Sequence, residues 1–193
     1  MSNQTPPPFA GFPKMGRLSR ECVITEKIDG TNAQILITED GGFFTGSRTR
    51  WIVPGNDNFG FAHWAHQHKD ELMTLGPGQH FGEWWGAGIQ RTYGLKNGDK
   101  RFSLFNVGRW VLPGAPKTEK QEVVPPCCGV VPTLFSGIFS TTVADNMILR
   151  LQYGGSLAAP GFMDPEGIVI FHVALGAMFK KTIKNDSSPK SLV

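Results

Sequence analysis

A lysine followed within three residues by an aspartate and a glycine can do covalent chemistry. Lys27 stands in the stretch ECVITEKIDG, residues 21–30, with Asp29 and Gly30 close behind it. A lysine amine is protonated at neutral pH, its ordinary pKa being roughly 10.4. Burial or a neighbouring cation favours the neutral amine and makes it a nucleophile. Taken alone, Lys-x-Asp-Gly equally describes a surface lysine entering a turn. Other residues widen the choice. Glu83 lies between Gly82 and the Trp84-Trp85 pair. A carboxylate in so aromatic a stretch needs a partner or a ligand, unless it faces solvent at a sheet edge. Glu166 directly precedes the apolar run GIVIF, at a pocket rim or in an exposed loop. Phe105 in FSLFNV reads first as ordinary core. Lys180 and Lys181 are adjacent in AMFKKTI. Strand alternation turns one of them inward, where it needs an anion.

These residues sit on short strands. CVITEK, NAQILITE and FFTGSRTRWI read as a meander, with a hairpin turn at Asp40-Gly41-Gly42 and Arg48 in the third strand. Asp57 or Asn58 is placed to cap a helix over 59–75, which Gly76-Pro77-Gly78 stops. QHFGEWWGA, RFSLFNVGRW, the segment 130–135, GIVIFHV and AMFKKTI read as strands, and 141–153 as a second helix ended by Gly154-Gly155. The total is eight or nine strands with two helices, an α+β fold with antiparallel sheets. Met1 to Pro8 reads as an extended tail, and Phe9, Phe12, Met15 and Leu18 as its tether to the body.

The 193 residues suit one domain. High Gly and Pro with only 18% charged residues favour strands and turns over long surface helices. A net charge of +3 is compatible with a phosphate-bearing partner but does not by itself argue nucleic-acid binding. Cys22, Cys127 and Cys128 form no disulfide framework, which makes the reducing cytoplasm the expected location, that of the host if the source is viral. No apolar run is long enough to span a membrane, and the N-terminus does not read as a signal peptide.

Taken in order, Lys27-Ile-Asp29-Gly30, Ser47-Arg48, Phe-Gly-Glu83, Phe-Ser-Leu-Phe105, Pro-Glu166-Gly-Ile-Val-Ile and Phe-Lys180-Lys181 form a series. The series resembles the nucleotidyltransferase motifs of the covalent ligase and capping-enzyme superfamily, and covers about Phe12 to Lys184. Thr31-Asn32 after the first motif is most similar to the nick-sealing, ATP-dependent RNA ligases of the phage T4 and trypanosome-editing type. Many of those have His where this chain has Asp29, a residue usual in DNA ligases and other RNA ligases.

The resemblance implies two packed antiparallel sheets with flanking helices, in a nucleotidyltransferase, ATP-grasp-like ligase catalytic domain over 9–184. Tails at 1–8 and 185–193 flank it, with no room for an OB domain. It implies ATP and Mg²⁺ or Mn²⁺ as cofactors. Lys27 is then the residue that takes AMP, which passes to a 5′-phosphate before a 3′-hydroxyl closes the phosphodiester. Lys180 contacts the α-phosphate and depresses the pKa of Lys27; Lys181 is a weaker candidate, and Thr182 stands where the family often has a second lysine. Arg48 reaches the ribose or a phosphate, Glu83 the ribose hydroxyls, and Phe105 stacks on adenine. Glu26 and Ile28 line the adenine, Asn32 lies near the leaving phosphates, and Glu166 and Asp29 hold the metal.

A minimal DNA ligase, a capping-type guanylyltransferase and a nucleotide- or RNA-binding protein without turnover remain as other readings. Arg91, Lys96, Lys100, Arg101 and Arg109 are either contacts to a nucleic-acid backbone or a solvated face. His63, His66 and His68 invite a zinc reading, but no Cys or His pair matches them elsewhere; exposed helix histidines are the simpler expectation. A monomer acting on nicked duplex or RNA ends is expected.

Overall fold

A computed structural model describes residues 8–184 and 186 of the chain. The two tails expected at 1–8 and 185–193 lie, apart from Pro8 and Asp186, outside the described residues. In chain order the elements are β1 (Glu21–Lys27), β2 (Thr31–Ile37), β3 (Phe43–Ser47), β4 (Trp51–Ile52), α1 (Phe61–Gln67), α2 (Lys69–Met73), β5 (Gly78–Gly86) and β6 (Lys100–Leu104). They continue with β7 (Trp110–Val111), β8 (Glu122–Val123), β9 (Cys128–Val130), β10 (Thr133–Ile138), α3 (Thr141–Gly154), β11 (Gly167–His172) and β12 (Ala177–Thr182).

Two sheets carry the fold. The first has strand order β10-β1-β11-β12 and is antiparallel throughout. The second has order β4-β3-β2-β5-β6-β9. It departs from the expected antiparallel pattern at its edge, where β9 runs parallel to β6. The long connection from β6 to β9 permits that direction, which a hairpin cannot supply. Within that connection β7 and β8 form a further small parallel pair.

Period-two patterning decides what each sheet covers. Ile24, Ile168 and Ile170 of the first sheet pack on Ile148 and Leu151 of α3. Ala33, Ile35, Trp84, Phe102 and Leu104 of the second sheet pack on Phe61, Ala62, Ala65 of α1 and Leu72 of α2. Truncating a fully buried leucine such as Leu151 to alanine costs about 2–5 kcal/mol in comparable cores. A third cluster of Ile28, Trp85, Tyr93, Val131 and Ala159 joins the inner faces of the two sheets. Ile28 lies on the β1–β2 crossing and Val131 on the β9–β10 crossing, so the chain passes between the sheets at both points.

Several expected elements divide. The segment read as one strand over 43–52 breaks after Ser47, because the Ser47 N–H bonds the Arg50 carbonyl at 2.8 Å and closes a turn. The helix expected over 59–75 is α1 and α2, separated by His68 at φ −102° and ψ 19°. Gly60 is the N-cap residue of α1, and Asp57, three residues earlier, accepts from the first-turn Ala62 and His63 N–H groups at 2.7 and 2.9 Å. The run RFSLFNVGRW splits where Asn106 O accepts from the Arg109 and Trp110 N–H groups. Helix α3 forms as expected, with the Ser140 hydroxyl accepting from Val143 N–H and Gly155 closing its last turn at φ 78°. Phe9, Phe12 and Met15, expected as a tether, are exposed. The attachment there is polar instead, His172 Nε2 to Leu18 O at 2.8 Å.

Candidate active site

Lys27 is the last residue of β1, and its cross-strand partner on β11 is Gly167. Glu166 therefore arrives beside Lys27, and Lys27 Nζ donates to Glu166 Oε2 at 2.5 Å. Glu166 is buried, and Lys27 keeps about a quarter of its side chain exposed. The ion pair lies in the cleft where the first sheet faces Glu83 of the second.

Glu83 faces the same cleft from β5. Its two oxygens accept from the Gly30 N–H at 3.0 Å and from Asn32 Nδ2 at 3.3 Å. Burial pushes its carboxyl up to about 7, raised further by Glu166 and Asp29 and opposed by Lys27 and the Gly30 N–H. Gly30 can approach so closely because it lacks a side chain: a Cβ there would lie 2.4 Å from the Trp84 carbonyl oxygen.

Asp29 and Arg91 form the second layer. Arg91 Nε donates to Asp29 Oδ2 at 2.9 Å, and Arg91 Nη1 lies 2.9 Å from Asp164 Oδ2. Lys184 Nζ reaches Asp164 Oδ1 at 2.7 Å. Lys184 first, and Arg91 with it, hold the Asp164 carboxyl below its usual range. Tyr93 Oη accepts the Asp29 N–H at 2.9 Å and donates to the Lys27 carbonyl at 3.5 Å. Burial raises the Tyr93 hydroxyl pKa. Gln90, Thr92 and Tyr93 all have left-handed backbone, with φ of 43°, 59° and 51°. Such conformations cost energy in non-glycine residues and cluster where surrounding contacts hold them.

The strand registers place the other expected residues. Thr25, Val169 and Lys180 pair across β1, β11 and β12, so Lys180 shares the face of Lys27 and is exposed. Lys181 pairs with Ile168 on the opposite face and binds Asp145 of α3 at 2.6 Å. It is therefore directed to α3, on the face opposite Lys27, and not toward the site where the sequence made it a weaker nucleotide contact. Arg48 is exposed in the β3–β4 turn rather than in a strand. Phe105 is half-exposed just past β6, not core, with its N–H bonded to Phe81 O at 3.0 Å.

Two further side chains are engaged elsewhere. Glu26 shares the buried face with Ile24, and its carboxylate accepts from the Ser156 hydroxyl at 2.5 Å and the Leu157 and Ala158 N–H groups at 2.8 and 3.0 Å. Alternation along β1 turns Glu26 away from Lys27, so its side chain anchors the 156–158 loop instead of lining the cleft. Ile28 is buried in the cluster joining the sheets. Asp29, expected as a metal ligand, is occupied by Arg91. Glu166, the carboxylate in contact with Lys27, is the acid placed to hold a hard cation that retains most of its waters.

The basic residues read as a backbone-binding set are dispersed. Lys100 Nζ bonds Phe59 O at 2.7 Å, Arg101 pairs with Asp99, and Arg109 pairs with Glu122 and stacks on Trp110. Lys96 is exposed. Arg91 belongs to the site itself. Tyr93, Asp164 and Lys184 were not among the expected site residues. The string GIQRTYG marks the first only by its glycines, and nothing near Asp164 or Lys184 distinguishes them from surface charges.

His63 and His66 are exposed, and His66 Nδ1 bonds the Ala62 carbonyl. His68 does have a distant partner after all: ligand atoms of His68, Glu71 and Cys127 lie within 4.8 Å of one another. They stand at the helices covering the second sheet, across that sheet from Lys27. Cavities of about 390 and 560 Å³ lie beyond Trp85, along the 107–133 segment, and neither is lined by Lys27. No helix among the described residues is long and apolar enough to cross a membrane.

The sequence profile of the RNA ligase family matches residues 20–182. Comparison with curated proteins gives no match. Among solved structures, the RNA ligase of Naegleria gruberi is similar in several forms. An apo variant is 19% identical with a TM-score of 0.58, over 85% of this chain and 50% of that one. A variant with ATP and Mn is 19% identical with a TM-score of 0.58, over 86% and 51%. The form with pyrophosphate is 20% identical with a TM-score of 0.55, over 85% and 50%. The chain thus spans about half the length of these neighbours, and at this identity the likeness speaks for the fold. The profile match covers most of the sequence, and the chain belongs to the RNA ligase family.

Proposed function

We propose that this chain is the adenylyltransferase domain, residues 9–184, of an ATP-dependent RNA ligase, and that Lys27 is its nucleophile. The observation that carries the reading is the gathering of Lys27, Glu166, Glu83 and Lys180 on the facing surfaces of two sheets. Neighbouring structures are of RNA ligases with ATP and Mn, AMP and Mn, or pyrophosphate. Family membership favours RNA over DNA as the strand sealed.

In the first step the neutral Lys27 amine attacks the α-phosphorus of ATP. A P–N bond forms, the bond to the bridging oxygen breaks, and pyrophosphate leaves. The amine proton is lost to solvent. AMP then passes to a 5′-phosphate, and a 3′-hydroxyl displaces it to form the phosphodiester. Negative charge on the α-phosphoryl oxygens must be met by cations already in place. Lys180 supplies one from β12, and Glu166 is suited to hold Mg²⁺ or Mn²⁺ or its hydration water. Glu83 has lone pairs left for ribose hydroxyls. Phe105 offers a face for adenine, and Arg48 reaches the ribose or a phosphate from the β3–β4 turn. Asn32, beside Glu83, lies toward the leaving phosphates.

Incubation with α-labelled ATP and Mg²⁺ tests the reading. Acid-labile label on the wild-type protein, absent in Lys27→Ala, is expected. Label from GTP alone would point to capping chemistry, and no label from either nucleotide would remove the enzyme reading. Nicked substrates with RNA or DNA at the 3′-OH side then separate the strand types; sealing confined to a DNA 3′ end would favour a DNA ligase.

A further inference from the structure

The cleft face of the second sheet continues past the site as a row of exposed rings. In register, Trp51 stands opposite Gly46, Gly46 opposite Gln34 and Gln34 opposite Phe81. Phe81 adjoins Phe105 through the Phe105 N–H. The row crosses β4, β3, β2, β5 and the end of β6, about 19 Å at the usual strand spacing. It lies two residues along each strand from Asn32 and Glu83, and so on the same face. Phe44 sits in the next row, its ring 6.2 Å from that of Trp51.

Trp51 is 53% exposed, Phe81 50%, Phe44 49% and Phe105 38%. An exposed sheet face normally carries polar side chains; here Trp51 and Phe44 on one side and Phe81 and Phe105 on the other flank uncharged Gln34 and Gln79, which bond each other. Gln34 Nε2 also donates to Ser47 O at 2.9 Å, laying its side chain across Gly46. A Cβ at Gly46 would meet Gln34 Cγ at 2.8 Å, so the glycine keeps this floor low between the rings. Arg48 and Arg50 border the row in the β3–β4 turn. Arg50 is steadied by Asn56 at 2.8 Å.

Exposed rings at both ends of an uncharged floor, edged by arginines and on the same face as Glu83, suit one partner chemistry. Bases of an unpaired strand stack on such rings while its phosphates meet the arginines. Bases in a duplex are already stacked and do not offer their faces. We infer that the patch formed by Trp51, Phe81 and the neighbouring Phe44 is a stacking platform for unpaired bases of the RNA strand that enters the Lys27 cleft. This inference rests on the RNA-ligase reading and adds a preference for single-stranded ends beside the site.

Fluorescence anisotropy with a labelled single-stranded RNA of about 12 nucleotides tests it on the full chain. Trp51→Ala and Phe44→Ala should each weaken binding about tenfold, and Trp51→Phe should restore most of the loss. Both positions are exposed, so circular dichroism should match wild type, and labelling by ATP should be retained. An RNA duplex of equal length should bind more weakly and be insensitive to both substitutions. Unchanged single-strand affinity in both variants, with wild-type labelling intact, overturns the platform and leaves the ligase reading standing. Tighter binding of the duplex overturns it as well. So does a concentration-dependent dimer that Trp51→Ala dissolves, because a second copy is then the occupant. A fall in ATP labelling that parallels the RNA loss also overturns it, by assigning the rings to the nucleotide site. Absence of both labelling and RNA binding in wild type removes the ligase reading itself.

Discussion

Lys27 Nζ and Glu166 Oε2 stand 2.5 Å apart although 139 positions separate them in the chain. Antiparallel pairing of β1 with β11 produces the contact, since Lys27 opposes Gly167. Glu166→Gln keeps the size and removes the charge that holds the amine and favours a metal. Self-labelling by ATP is expected to fall at least about 100-fold, the scale of losing one preorganised electrostatic group. A titration of labelling against Mg²⁺ that matches wild type would show that Glu166 serves neither the lysine nor the metal.

Adjacent lysines on β12 should behave in opposite ways. Lys180→Ala removes a cation on the Lys27 face and should slow labelling about 100-fold. Lys181→Ala removes an exposed pair with Asp145, which is worth about 0–1 kcal/mol, and should leave labelling unchanged. Single-turnover rates for the two variants check this; equal losses would contradict the register.

Stability should depend on pH through Glu83. Its carboxyl, pushed up to about 7 chiefly by burial, binds a proton more tightly in the folded chain than in the unfolded one, where the value is 4.5. The stability this contributes is fully present below pH 4.5 and is lost as pH rises through about 7. Glu83→Gln never carries the charge. Its Tm should exceed wild type at pH 8, by a stability gain of about 1–3 kcal/mol, and converge on it near pH 4.5. Thermal melts of the metal-free protein across this range check the sign; a gap independent of pH would refute it.

Arg91 is expected to act by position. It ties Asp29, two residues after Lys27, to Asp164, two residues before Glu166. Arg91→Ala frees both loops and should slow labelling about 10- to 100-fold through misplacement of Lys27 and Glu166. Arg91→Lys should recover only part, because one ammonium cannot repeat the two directed contacts. A change confined to RNA affinity, with the labelling rate intact, would return Arg91 to the role of a phosphate contact.

Much of the site is legible in the order and spacing of the motifs, because each lies in a short strand or turn whose local pattern is strong. The side chains placed otherwise than expected share a cause. Glu26 neighbours Lys27 in sequence, but strand alternation sends its carboxylate to the 156–158 loop. Lys181 neighbours Lys180, and the same alternation sends it to Asp145. Arg91 reads in sequence as a nucleic-acid backbone contact or a solvated charge; a backbone with three left-handed residues brings it to Asp29. Cys127 showed no link to His68, because only the packing of the β9 approach against α2 joins them.

The chain's residue types determine by themselves that a lysine, three carboxylates and an aromatic ring recur in the order of a nucleotidyltransferase, on strands too short and glycine-rich for a helical fold. Period-two patterning is local, so it survives without knowledge of partners. Which neighbour of each pair faces the cleft, which cation meets Asp29, and where exposed rings line up beside Glu83 were decided by strand register and loop path. These are long-range choices, set by how two sheets bury Ile28, Trp85 and Tyr93 between them. No short window of sequence contains both sides of those contacts.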